Sequence, residues 1–402
     1  MTDTRHPTPD IRHFFPLRFK ASFGTAVLVE RAPPEDQAIW ESSFADRITD
    51  HRYYELTQDT LGAQFEHRYL LLKGADETTR AVQPVFVVLQ DLVTGMPPLF
   101  RQAVERVRKR FPGFLKLRML MIGSSAGEGD LGRDVTSGEV GWTAQALGEV
   151  LPPLGRKLRA TLIVFKDFPA AYRPVLDSLK RSGFTRVPSM PATGLTLDFE
   201  SFEDYLAKRL SHAYRKNLRR KFRKAAQGAP LAFDVVSDVT PWVDQLVPLY
   251  RAVLERSELK FEELNAAYLS ELGRRLPDRA RFLLWREGDR IVAFACCLVH
   301  NGVLKDNYIG LDYSVALDRH LYFVTWRDTV IWALENGCRT YHSAPLNYDP
   351  KLHFRMHLEP LDLYARATRP WLNPLFAMIL PWLEPTRYDR AVQQFPNKAE
   401  LW

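Results

Sequence analysis

The stretch RFLLWREGDRIVAFACCLVHNGVLKDNYI, Arg281 to Ile309, decides the fold of this chain. It reads as three strands, Arg281–Arg286, Arg290–Val299 and Val303–Ile309, each rich in β-branched, aromatic and other apolar residues. Glu287-Gly288-Asp289 separates the first two, and Asn301-Gly302 separates the second from the third. Asn-Gly readily supplies the two positive φ angles of a tight hairpin turn, so these connections are hairpins. Three consecutive antiparallel strands exclude a purely parallel wound sheet.

Outward from this meander the pattern is mixed. Upstream lie a strand at Leu231–Val236 and two helical stretches, Pro241–Arg256 and Leu264–Leu276. Downstream come a helix from about His320 to Asn336, ended by Gly337, a strand at Arg339–Ser343, a short segment after Pro350 and a strand at Leu361–Arg366. The first half has much the same order: strand Thr25–Glu30, helix Glu35–Ala45, strands Tyr69–Lys73 and Val82–Gln90, a basic helical insertion Arg101–Arg110, and strand Lys116–Ile122. A glycine-rich loop, helix Trp142–Val150, strand Ala160–Lys166, helix Ala170–Arg181 and strands near Phe184 and Gly194–Asp198 complete it. The expected class is α/β with mixed (α+β) sheets, built as two fused modules over 20–199 and 229–370. A basic helical connector, 200–228, joins them, and an apolar, proline-rich tail, 371–402, follows. Two domains also suit 402 residues.

The connector carries the charge. Lys208 to Lys224 holds nine basic residues and no acid; taking nine from the 55 lysines and arginines leaves 46, against 48 acids. The net charge of +7 is therefore local, and a local field implies an anionic partner at one place. Ser201 and Ser211 are start signals for two successive helices. In the second, Tyr214, Leu218, Phe222 and Ala225 share an apolar face, beside which Arg215, Arg219 and Arg223 form a row.

The start MTDTRHPTPD lacks an apolar core for a secretory signal, and three cysteines make no disulfide framework and have no metal-ligand spacing. No metal and a cytoplasmic location are the expectations. The tail segment PWLNPLFAMILPWL, Pro370 to Leu383, is too short to span a bilayer. It is expected to pack on the body, with shallow insertion into a membrane surface as the alternative.

The element order resembles the GNAT acyltransferase fold present twice. Two such modules joined by a basic helix look like the FemAB-like branch of that superfamily. PSMPATGLTLDFESFEDYLAKRLSHAYRKNLRRKFRKA, Pro188 to Ala225, is similar to that branch's substrate strand, its "FxDYL" helix and its Arg-rich helix. ENGCRTYHSAPLNYDPKLHFRMHLEP, Glu335 to Pro360, resembles its closing stretch with a tyrosine and a lysine. The resemblance implies transfer of an acyl or aminoacyl group from a thioester or tRNA ester to an amine. The chain departs from the superfamily's glycine-rich phosphate motif: GLDYSVALDRHLYF, Gly310 to Phe323, has no G-x-G, and the glycines at Gly123, Gly127 and Gly129 are interleaved with Glu128 and followed by Asp130.

Such chemistry needs a base for the amine, donors for an oxyanion and an acid for the leaving group. The candidates are Asp306, a carboxylate in an otherwise apolar strand, His342 as base and Tyr348 as acid, with Lys351 for a phosphate or the oxyanion. Arg215, Arg219 and Arg220 are the candidate phosphate ligands. The resemblance, with these residues as candidates, implies an N-acyltransferase using acyl-CoA and a small-molecule primary amine. The alternatives are an aminoacyl transferase using charged tRNA and a non-catalytic RNA- or membrane-surface-binding protein.

Overall fold

A computed structural model describes residues 16–91, 98–257 and 260–402. The first module follows the order β1 (Leu17–Ala21), β2 (Gly24–Val29), α1 (Gln37–Ser43), α2 (His51–Leu61), β3 (Glu66–Lys73), β4 (Thr79–Asp91), α3 (Pro98–Arg108), β5 (Lys116–Ile122), α4 (Gly141–Lys157), β6 (Leu162–Pro169), α5 (Arg173–Leu176), β7 (Thr185–Pro188). After β8 (Ala192–Thr196) come the basic pair α6 (Phe202–Arg209) and α7 (His212–Ala225). The second module then repeats the pattern: β9 (Ala232–Val236), α8 (Val243–Leu254), α9 (Ala266–Arg275), β10 (Ala280–Glu287), β11 (Arg290–His300), β12 (Val303–Leu311), α10 (Leu321–Glu335), β13 (Thr340–Ser343). The chain ends with α11 (Tyr348–His353), β14 (His357–Glu359), β15 (Leu361–Ala367) and α12 (Asn373–Leu383).

The deciding meander forms as its turns require. Asn301 and Gly302 have φ of 49° and 76°, so β11 and β12 pair from His300↔Val303 onward. In each module a parallel strand follows a helix and joins the third strand of the meander, β6 beside β5 and β13 beside β12. These are the two parallel pairs among the described residues; the other strand pairs are antiparallel. This is the expected pair of mixed α/β modules.

The sheets trade one strand each. The strand orders are β1-β2-β3-β4-β5-β6-β15-β7 and β14-β8-β13-β12-β11-β10-β9. β8 precedes the basic helices in sequence yet lies beside β13 in the second sheet, while β15, from the far end of the chain, lies between β6 and β7 in the first. A cut at residue 200 therefore divides the sequence but not the sheets.

One core is shared. Tyr53, Leu56, Phe86 and Met121 of the first module pack with Leu246, Tyr268, Phe282 and Phe294 of the second. The hydroxyls of Tyr53 and Tyr268 meet at 2.8 Å within it, and Arg52–Asp278 and Arg275–Asp59 ion pairs close its rim. The outer face of the first sheet is covered by α4, and that of the second by α6, α7 and α10.

Three local readings differ. The strand β1 and helix α2 are additional, the latter with its buried Tyr53, Tyr54 and Leu56 set among polar residues. Helix α4 runs past Val150 through Pro152 and Pro153 to Lys157, because Leu151 and Leu154 are buried in the core and outweigh propensity. The expected helix Ala170–Arg181 is a chain of short turns around α5.

Candidate active site at the parting of β12 and β13

The parallel pairing of β12 and β13 runs from Val303↔Thr340 to Asp306↔Ser343, and its last bond is the Ala344 amide donating to the Asp306 carbonyl at 3.1 Å. β12 continues to Leu311 while β13 ends at Ser343, so the strands part at Asp306. A bulge lies at the same place. Cys297 pairs with Asp306 and Cys296 with Tyr308, leaving Asn307 as the extra residue. Without the bulge, Asp306 and Tyr308 would share a face. With it, Tyr308 turns toward the intermodule core and donates to Glu262 at 2.8 Å, while Asp306 turns to the α10 face beside Cys297.

On that α10 face, Tyr341 donates its hydroxyl to Asp306 Oδ2 at 2.8 Å, and the Cys297 thiol lies 3.8 Å from Oδ1. Burial pushes the Asp306 carboxyl up to about 6, against the opposing pull of the Tyr341 hydrogen bond and the Lys351 charge. Lys351 arrives from α11. Two left-handed residues, Leu346 at φ 77° and Asn347 at φ 50°, turn the chain back after β13. Such backbone costs of order 1–3 kcal/mol per residue and needs support. Beyond the turn, Phe354 anchors the end of α11, stacking on Trp326 with centroids 3.6 Å apart and accepting from the Tyr205 hydroxyl at 2.5 Å. Lys351 is only 3 % exposed, and its ammonium donates to the Ala344 carbonyl. Burial lowers it to about 7, with Asp306 pulling the other way.

This pair has a thermodynamic signature. Between about 7 and the ordinary lysine value of 10.5, the unfolded chain holds a proton that the folded protein has shed at Lys351. Stability attributable to this residue therefore rises with pH across that window. Asp306, shifted upward, acts in the opposite sense between 3.8 and about 6. In Lys351→Met the rise is expected to disappear, read as a pH-dependent gap between the urea midpoints of variant and parent. Parallel curves from pH 7 to 10 would refute the burial of a neutralised amine here.

The four candidates Asp306, His342, Tyr348 and Lys351, which a shared reaction would require in one cleft, are not all brought together. Asp306 and Lys351 come together, but His342 pairs with Lys305 in register and lies with it on the opposite face. There, His342 Nδ1 bonds Glu359, Lys305 bonds Glu128 of the glycine-rich loop, and His357 lies 3.5 Å from Glu359. Burial alone would raise Glu359, but the two histidines more than offset it, and its carboxyl falls to about 2. Burial alone would lower Lys305, but Glu128, with Glu359 and Asp130, more than offsets it and the ammonium is raised. Tyr348 belongs to neither group: its hydroxyl donates to the Pro191 carbonyl at 2.7 Å, and its ring packs with Leu358, Val392 and Phe395. Alternation along β12 and β13 separates Asp306 from His342, and Asn307, the signal of the bulge, is an ordinary residue in sequence. Tyr341, Glu128 and Glu359 enter the site without a motif of their own.

The basic helices form as capped: Ser201 accepts from the Asp204 amide and Ser211 from the Tyr214 amide. Leu218 and Ala225 are buried, and Tyr214 stacks on His353 at 5.2 Å. The candidate arginines divide. Arg215 and Arg219, with Lys216, Arg223 and Arg327, line an open groove of about 1080 Å³ between α6, α7 and α10. Arg219 there pairs with Glu203. Arg220 is outside this groove, toward the first turn of α10, where it, Lys221 and Lys224 add to burial in lowering His320. Among the described residues no cluster of His, Cys, Asp and Glu is placed to hold a metal ion.

Residues 212–351, which span α7 to α11, match the acetyltransferase (GNAT) domain family. None of the curated proteins matches the chain. Among solved structures, L-PGS from Bacillus licheniformis is similar over 90% of this chain and 99% of its own, at 12% identity and a TM-score of 0.50. FemX is similar over 88% and 99%, at 11% identity and a TM-score of 0.50. At such identities the likeness is one of fold, and it spans both modules at once. Residues 212–351 of the second module thus match the GNAT acetyltransferase domain, and the two modules together have the fold seen in FemX.

Proposed function

We propose that the protein transfers an acyl group from an acyl-CoA thioester to a primary amine. The observation that supports this is the Asp306–Lys351 pair, two buried groups of opposite charge type held near neutrality where β12 and β13 part. In the proposed step the amine nitrogen bonds to the thioester carbonyl carbon and gives a proton to the Asp306 carboxylate. The Lys351 ammonium offsets the charge on the carbonyl oxygen. The C–S bond then breaks as the carbonyl re-forms, and the same proton passes to the departing thiolate. Arg220, Lys221 and Lys224, beside the positive end of α10, suit the donor's phosphates.

The basic groove favours a second reading, an aminoacyl-tRNA donor, since Arg215, Lys216, Arg219, Arg223 and Arg327 exceed what one CoA requires. Equilibrium binding of CoA and of tRNA at rising salt separates the two. CoA is expected to bind the parent, with affinity about tenfold lower in Arg220→Ala/Lys221→Ala, as loss of charge-assisted bonds requires. Binding of tRNA without CoA, with a log–log salt slope of several units, would shift the assignment to tRNA. Binding of neither would sink both.

A further inference from the structure

The tail helix is apolar on both faces, and only one face is covered. Leu372, Phe376 and Leu380 pack on the shared core. Trp371, Leu375, Met378, Ile379 and Trp382 form the opposite stripe and point to solvent, the two tryptophans 70% and 69% exposed. A helix that is hydrophobic all round is normally enclosed on every side, and no helix among the described residues is long and apolar enough to cross a membrane. The charges beside the stripe identify what covers it. Arg369 precedes it, Arg387 and Arg390 follow it, and all three are exposed. Gly183, two residues after exposed Arg181, approaches Asn373 at the helix start. Of the acids in the same stretch, buried Glu384 pairs with Arg387 and offsets its charge, and half-buried Asp389 accepts from the Ala391 and Val392 amides, which leaves Arg369 and Arg390 as the exposed charges beside the stripe.

We propose that the exposed stripe of α12, from Trp371 to Trp382, docks in the interface of an anionic lipid bilayer with Arg369 and Arg390 at headgroup level. The helix lies parallel to the surface. Its stripe inserts to a depth of about 5–10 Å, as interfacial helices do. The two tryptophans, about 16 Å apart at 1.5 Å per residue, anchor its ends, since indole rings favour the boundary between hydrocarbon and water. Arginine supplies the attraction to negative headgroups. A second copy of the chain is the competing occupant, but it would bring the same arginines against each other. The one-sided charge favours the lipid.

The test is co-sedimentation with vesicles of phosphatidylcholine, with and without phosphatidylglycerol, beside light scattering of the free protein; neither readout depends on turnover. The parent is expected to pellet with the phosphatidylglycerol vesicles and to be released by salt. Trp371→Ser/Trp382→Ser is expected to lower the partition coefficient at least about tenfold. Both side chains are exposed, so the melting temperature should hold. Arg369→Glu/Arg390→Glu should remove the preference for phosphatidylglycerol and serves as the second probe if the tryptophan variant misfolds. No pelleting of the parent, equal pelleting with both vesicle types, or a parent dimer that the tryptophan variant dissolves would overturn the proposal.

Discussion

Asp306→Asn is expected to lower turnover by roughly 10²–10⁴-fold, the range for loss of a proton-transferring group. Asparagine keeps the shape and still accepts from Tyr341, so the fold should survive. The pH profile distinguishes a chemical role from a structural one. With Asp306 near 6 and Lys351 near 7, the parent's kcat/KM should form a narrow bell whose two limbs belong to the pair together. The substitution should remove the acid limb, and Lys351→Met the alkaline one. His342→Ala, on the other face, is expected to change turnover by less than about tenfold, since only groups that reach the reacting atoms carry the larger factor. An Asp306→Asn enzyme within tenfold of the parent would remove Asp306 from the chemistry, and a large His342 effect would move the base to the intermodule face.

Truncation after Pro360 is expected to unfold the first module, although the missing residues lie at the other end of the chain. β15 fills the slot between β6 and β7, with Tyr364↔Phe165 on one side and Tyr364↔Arg186 on the other. Its Asp362 is buried against Arg173 and Arg186. Removing the strand strips backbone partners from both neighbours and leaves two arginines facing an empty slot. Hydrogen exchange and limited proteolysis would read this as lost protection throughout β5 to β7. A first module that stays as protected as in the full chain would show that the exchanged strand is dispensable.

Much of the fold was legible because its signals are local. Hairpin turns at Gly288 and Gly302, the helix stop at Gly337 and the alternation of β10 to β12 are properties of neighbouring residues. The split of the basic segment at Ser211 was legible for the same reason, since a cap acts within three residues. Helix α2 was not, because tyrosines and threonines share its buried face with only two leucines, and the burial of Tyr53 depends on the facing α9. The candidate site was half legible. Asp306 stands out as a carboxylate in an apolar strand and Lys351 as the lysine of a stretch that resembles the family's closing segment, and the structure joins them. The separation of His342 depends on the register of β13 against β12, which sets it beside Lys305, and Tyr348 is claimed by a cluster that includes Val392 and Phe395, more than forty residues downstream.

The sequence by itself determined two mixed modules in tandem, the basic helix between them and its apolar docking face. Short-range backbone preferences and periodic burial specify these without reference to the rest of the chain. Only the tertiary structure decided that β8 and β15 change sheets, that Asp306 meets Lys351 and turns away from His342, and that one stripe of α12 stays uncovered. Each of these depends on long-range pairing. A strand carries no mark of which sheet it will enter, and a side chain's face is fixed by register, which one bulged residue reverses.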